Sequence, residues 1–205
     1  MKNVSVETLE SAGHNVTVSD LYGQGFSAVA QKWDFVTTSG NHFNYMSEQK
    51  HAANLQMAFS PDILGEIQKL QAADILLIIS PIWWMGVPAI LKGWFDRVLA
   101  MGVAWDTGKF YENGFMRNKQ AMLIVAGGHP AEYYSVAGRH QATINQMLHP
   151  INHGVLAFCG FNVHEPFVAL NVMSADDASR EKALKDMEFR VKNLAQSPQW
   201  MTLYA

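Results

Sequence analysis

Two stretches of the chain carry apolar side chains at consecutive positions rather than alternate ones: DILLIIS (74–80) and QAMLIVAGG (120–128). A strand with one face in water alternates, so these runs predict strands covered on both faces, as in a parallel sheet. Around them the period changes. DILGEIQKLQAA (62–73) sets Ile63, Leu64, Ile67 and Leu70 at helical spacing. It is preceded by Ser60 as a cap and Pro61 in the first turn. PAILKGWFDRVLAMG (88–102) is again helical, and TINQMLHPINHGVLAFCGF (143–161) reads as a helix interrupted near Pro150. FNVHEPFVALNV (161–172) is a last strand region, and SADDASREKALKDMEFRVKNLAQ (174–196) a capped, charged, amphipathic helix. Near the start, VSVETLESAGHNVTVSDLY (4–22) gives a helix end, a stop at Gly13 and an alternating strand, NVTVS. Residues 23–60 have weak periodicity and form a long excursion with one helical stretch around Glu48–Met57.

Strands alternating with helices predict an α/β fold: an open, doubly wound parallel sheet with helices on both faces. In such sheets ligands bind beyond the carboxyl ends of the strands, where the strand order reverses. That rule selects the loops SPIWWMG (80–86) and AGGHPAEYY (126–134).

Composition narrows the partners. The 205 residues suit one domain spanning 1–205, and 49% of them are hydrophobic, enough for a substantial core. The net charge of −3, without a long basic run, argues against nucleic acid or an anionic membrane as main partner. No apolar run reaches the ~18–20 residues needed to span a bilayer. MKNVSVETLE lacks a signal-peptide core, so a cytoplasmic protein is expected. Cys159 is the single cysteine; in the apolar run VLAFCGF it reads as a buried structural thiol. His149, His153 and His164 lack ligand-like spacing, so no metal site is expected. Gly-x-Ser-x-Gly, P-loop and Gly-x-Gly-x-x-Gly motifs are all missing.

Two adjacent tryptophans, Trp83 and Trp84, follow the first apolar strand. Neighbours on a strand face opposite ways, so both cannot enter one core. Pro81 ends the strand and Gly86 with Pro88 turns the chain into the next helix, placing the pair in a loop. One indole can pack downward while the other lines a crevice suited to a flat heteroaromatic ring; alternatively, both cap the core. In the second loop, Gly127 and Gly128 let backbone approach a ligand, and Tyr133, Tyr134, Arg139 and His140 follow. A Tyr–His pair can stabilise negative charge on a reduced cofactor. The alternatives are an ordinary strand-end turn and a histidine at a helix start.

The run SPDILGEIQKLQAADILLIISPIWWMGVPAILKGWFDRVL (60–99) resembles the NAD(P)H:quinone oxidoreductases, the DT-diaphorase family, whose fold is flavodoxin-like. The strand-end proline, aromatic pair, Gly-x-Pro and AILKGWF appear in order. The Gly-Gly loop, Tyr134 six residues before His140, and the later FCGF and EP pairs match as well. The resemblance implies FAD rather than FMN, NAD(P)H as electron donor, a homodimer and two-electron, ping-pong reduction of quinones. By it, Pro81, Ile82, Trp83, Trp84 and Met85 would wrap the flavin ring, and Gly127 and Gly128 would present backbone to its edge. Tyr134 and His140 would steady the reduced flavin's charge, while Trp105 and Phe158 of the second subunit would close the substrate pocket.

The chain departs from the family at its start. Met1-Lys2 aligns inside the family's first helix, so the preceding strand and phosphate loop are expected to be missing. In a 2-1-3-4-5 sheet that strand is central, and its loss leaves unpaired edges in mid-sheet. A start codon assigned too late, or a remnant that has lost tight flavin binding, would each account for this. VAGG also lacks the hydroxyl-bearing residues often found before the glycines, and the long C-terminal tail of the animal enzymes is missing. Rival readings are a reductase of azo dyes or nitroaromatics, a regulatory subunit of a potassium-efflux transporter, and a flavin-free remnant.

Overall fold

The computed structural model describes residues 1–40 and 42–194. Its elements are α1 (Lys2–Ser11), α2 (Tyr45–Asn54), α3 (Pro61–Ala72), β1 (Ile75–Pro81) and α4 (Ala89–Val98), then β2 (Gln120–Ala126), α5 (Ile144–Ile151), β3 (Asn162–Val163), β4 (Phe167–Ala169) and α6 (Asp177–Lys192). All pairings are parallel, with β1 on one side of β2 and β3 and β4 on the other. Asn162 pairs with Gln120 but Phe167 with Ile124, so the last strand gains one residue on its partner. This is a bulge at Glu165-Pro166, where proline has no N–H to give the ladder.

Strand β2 explains why its sequence does not alternate. Ala121, Leu123 and Val125 join the core shared with α3 and α4, while Met122 and Ile124 face Met187 and Val191 of α6. Helix α1 packs on the α6 side through Val4 and Leu9. Asp176 caps α6 by accepting from the Ser179 amide; the sequence reading carries this helix to Gln196, beyond the described residues. Thr143 caps α5 with a reciprocal Gln146 bond. Pro150, lacking an amide N–H, is followed by a turn of π-helix, Asn152–Ala157.

Three expectations need correction. NVTVS is not a strand, because among the described residues its backbone has no partner. Side chains hold its C-terminal end instead: Lys69 bonds Ser19 at 3.2 Å, and Lys2 bonds the adjoining Asp20 at 2.8 Å. Strand β1 is not covered along its length; Ile79 remains 36% exposed, since only one edge of β1 is paired among the described residues. Finally, Ser60 occupies the N-cap position without capping through its side chain; its hydroxyl bonds Asp62 at 2.6 Å.

The excursion before α3 is anchored by a buried ion network. Arg97 of α4 reaches Asp34 at 2.8 Å and Asp62 at 3.0 Å, donates to the Ser27 carbonyl at 2.8 Å, and stands over the Phe26 ring. Tyr45 donates to Asp34 at 2.6 Å. Burial opposes ionisation of Asp62, but the Ser60 hydroxyl and the Arg97 guanidinium overcome it and hold its pKa below the usual range.

Candidate active site

Backbone hydrogen bonds bring three loops together at the carboxyl edge of the sheet. Pro81 and Ala126 are register partners, and the Ile82 amide donates to the Ala126 carbonyl at 2.8 Å. Gly127 donates to the Ala169 carbonyl at 2.8 Å, and Asn171 donates to the His129 carbonyl at 2.9 Å. The ends of β1, β2 and β4 thus advance side by side.

The first loop closes as a two-residue turn. Trp83 and Gly86 exchange backbone bonds of 3.0 and 2.9 Å across Trp84 (φ 50°) and Met85 (φ 60°). Positive φ at both central positions favours Gly, Asn or Asp, and each bulky residue there costs about 1–2 kcal/mol. The result is that Trp84 stands fully outside the protein, at 101% exposure, with Trp83 at 54%. Neither indole enters the core, in contrast to the expectation that one packs downward; Ile82 packs there instead.

In the second loop, a Cβ on Gly127 would lie 2.8 Å from the Tyr134 hydroxyl and 2.8 Å from Leu170, and one on Gly128 would lie 2.7 Å from Met173 Sδ. The buried Tyr134 therefore leaves no room for a side chain at Gly127, whereas at Gly128 the exposed Met173 could move aside. Tyr134 is buried, with its ring 4.8 Å from that of His140. His140 Nε2 lies 3.1 Å from His129 Nδ1, and Tyr133 packs near both rings with Arg139 over its face. Sequence reasoning missed His129, although it directly follows the Gly-Gly pair.

Trp105 and Phe158 meet at 5.4 Å, on a separate groove. This groove holds about 290 Å³ and is lined also by Met46, Gln49, Phe95 and Leu99. None of its lining residues comes from the two loops above. Trp105 donates to the Leu99 carbonyl at 3.1 Å, and Phe110, unremarked in the sequence, stacks on Phe158 at 5.4 Å. Cys159 borders the groove but is buried, which pushes its thiol up to about 12. It is structural, not nucleophilic. His149, His153 and Tyr111 stack together, and buried His164 bonds the Gln120 side chain.

The paired loops fit the ring of a flavin. The exposed Trp83 and Trp84 offer apolar faces, and among the described residues the amides of Trp84, Met85 and Gly128 donate no hydrogen bond, leaving them free for polar ring edges. The model for proteins of flavodoxin-like fold matches residues 1–191. Rat ribosyldihydronicotinamide dehydrogenase [quinone] is 39% identical over 196 residues, covering 95% of this chain and 84% of its own. The chain belongs to the flavodoxin-like NAD(P)H:quinone oxidoreductase family. Rat NAD(P)H dehydrogenase [quinone] 1 is 36% identical over 95% of this chain and 71% of its own. A crystallised Klebsiella pneumoniae protein assigned to the quinone reductases superposes with a TM-score of 0.90 at 34% identity, covering 97% of this chain and 79% of that one.

Proposed function

We propose that the protein is a flavin-dependent NAD(P)H:quinone oxidoreductase that binds FAD and acts as a homodimer. The observation that carries this reading is the strained turn that holds Trp84 clear of the protein beside the Gly127–Gly128 loop. A bound flavin would supply the two-electron chemistry between a nicotinamide and a quinone. The chain's part is to stack the ring on Trp83 and Trp84, offer the Trp84, Met85 and Gly128 amides to its polar edge, and stabilise developing negative charge with Tyr134 and His140.

The groove carrying Trp105, Phe158 and Phe110 supports the dimer. It is mostly apolar, with Lys92, Asp96 and Gln49 also lining it, and it is separate from the loops of its own chain, so a second copy could bring this aromatic wall over the first copy's flavin. Nicotinamide and quinone would then occupy the same space in turn. The single cysteine, buried and unpaired, is in keeping with action in the cytoplasm. The relatives are named as quinone dehydrogenases, which favours the enzyme over a transporter subunit of the same fold.

Initial rates with varied NAD(P)H and a benzoquinone test the proposal. Parallel double-reciprocal lines are expected, because the first product leaves before the quinone binds. Intersecting lines, or no flavin-dependent turnover, would overturn it.

A further inference from the structure

The turn after β4 brings a third wall to the site, and it carries one side chain that the proposed function does not use. Asn171 turns the chain at φ 58°, and Ser174 and Ala175 donate to its carbonyl at 3.1 and 2.9 Å. The turn is tied to the Gly-Gly loop twice: Val172 donates to the Gly127 carbonyl at 3.2 Å, and Asn171 to the His129 carbonyl at 2.9 Å. Next to these ties stands Met173. It is 79% exposed, more than any other methionine among the described residues. Its far end nonetheless rests on the glycine, with Sδ 2.7 Å and Cγ 3.2 Å from where a Cβ on Gly128 would lie. The thioether thus occupies the place that Gly128 leaves open, beside an amide that donates no hydrogen bond among the described residues.

We propose that Met173 is an oxidation site whose sulfoxide closes the flavin edge by taking the Gly128 amide. This rests on the flavin-site reading. The oxidant is hydrogen peroxide, which forms when dioxygen rather than a quinone accepts the electrons of a reduced flavin. The peroxide O–O bond breaks and one oxygen bonds to sulfur, which is oxidised; the other oxygen leaves as water. A thioether is a weak acceptor, so Met173 leaves the Gly128 N–H open to a ligand. A sulfoxide oxygen is a strong acceptor, and the backbone ties hold it within reach of that N–H. Oxidation therefore turns an apolar cover into a competitor for the same donor. An enzyme that reduces dioxygen in place of quinone lowers its own hold on flavin, and a methionine sulfoxide reductase restores it.

Burial makes the site selective. Met122 and Met187 are fully enclosed where β2 faces α6. Met46 and Met85 are exposed at 52% and 43%. Beyond the chain neighbours of Gly128, Met173 supplies the only described atoms within 4 Å of its Cβ position, so oxygen on the other two lacks the same approach.

The test begins on the full chain without flavin. After limited peroxide treatment, peptide mass mapping is expected to find added oxygen at Met173 ahead of Met46 and Met85, with Met122 and Met187 unchanged. In ¹H–¹⁵N spectra the Gly128 amide proton is expected to move downfield on oxidation. It is expected to stay in place in treated Met173→Leu, where an apolar side chain takes no oxygen. By equilibrium dialysis, oxidation of the parent is expected to weaken FAD binding roughly 2- to 10-fold, the worth of one hydrogen bond. Sulfoxide reductase is expected to reverse the loss, and Met173→Leu to keep through peroxide the affinity it starts with. Oxidation at Met173 no faster than at Met46 and Met85, an unmoved Gly128 amide, or an equal loss of affinity in Met173→Leu would overturn the proposal. A Gly128 amide that moves in a chain whose untreated form binds neither FAD nor FMN would overturn the flavin reading and the regulation with it, while leaving the oxidation site and its contact standing.

Discussion

Replacing Arg97 with methionine should be among the most destabilising single changes in the protein. The guanidinium bonds Asp34 through Nη2 at 2.8 Å and Nε at 3.1 Å, and both side chains are essentially out of water, at 2% and 0% exposure. Methionine fills much of the volume but leaves the Asp34 carboxylate with only the Tyr45 hydroxyl at 2.6 Å and the Gln31 amide at 3.1 Å. Stranding a buried charge in this way costs about 3–5 kcal/mol. With a urea dependence of about 2–3 kcal/mol per molar for a chain of this size, the unfolding midpoint should fall by roughly 1–2 M. Making both positions apolar, Asp34→Leu with Arg97→Met, should cost about 2 kcal/mol less than Arg97→Met alone, because no charge is then stranded. Urea unfolding followed by tryptophan fluorescence measures both. A single variant within about 0.5 kcal/mol of the parent, the size of an ordinary surface change, would refute the assignment of this network as the anchor of residues 26–60.

Other outcomes follow from the same geometry. Trp84→Ala should leave stability within about 0.5 kcal/mol of the parent, since the indole touches water on every side, yet weaken flavin binding. Loss of aromatic stacking should weaken it roughly 2- to 10-fold, read by equilibrium dialysis. Met85→Gly should raise the urea midpoint by up to about 1 kcal/mol equivalent by relieving a positive φ, while loosening the turn and lowering flavin affinity. Acid should destabilise the fold. Burial opposes ionisation of Glu66, but Lys69, Ser19, Trp94 and Gln24 overcome it and hold its pKa below the usual value; Asp62 is held low as well. Stability from such depressed carboxylates is full above their ordinary pKa and is lost as pH falls through the folded values. Unfolding free energy should therefore drop from about pH 5 downward, less steeply in Glu66→Gln.

Much of this was legible in the sequence, for reasons that vary by element. The runs DILLIIS and QAMLIVAGG gave β1 and β2; for β2 the reason holds, because a strand covered on two faces needs no polar positions, whereas β1 keeps Ile79 exposed. NVTVS has the alternation of a strand, yet pairing depends on a neighbour that a local pattern cannot supply. The tryptophan pair pointed to its loop; the positive φ of Trp84 and Met85, which turns both indoles outward, violates local preference and could not be read from composition. Asp34 and Arg97 lie 63 positions apart and His129 and His140 lie 11 apart, so their partnerships come from tertiary folding alone.

The most direct test of the flavin-site assignment is an equilibrium titration with FAD, following the visible flavin band and tryptophan quenching, with the mass of the complex measured alongside. It should be made on the chain from Met1 and on a version reading the in-frame codons upstream, since the open edge of β1 borders the site's own strand. The expected result is one FAD per chain on a dimer in at least one form, with quenching that disappears in Trp84→Ala. Failure of both forms to bind FAD or FMN would contradict the account.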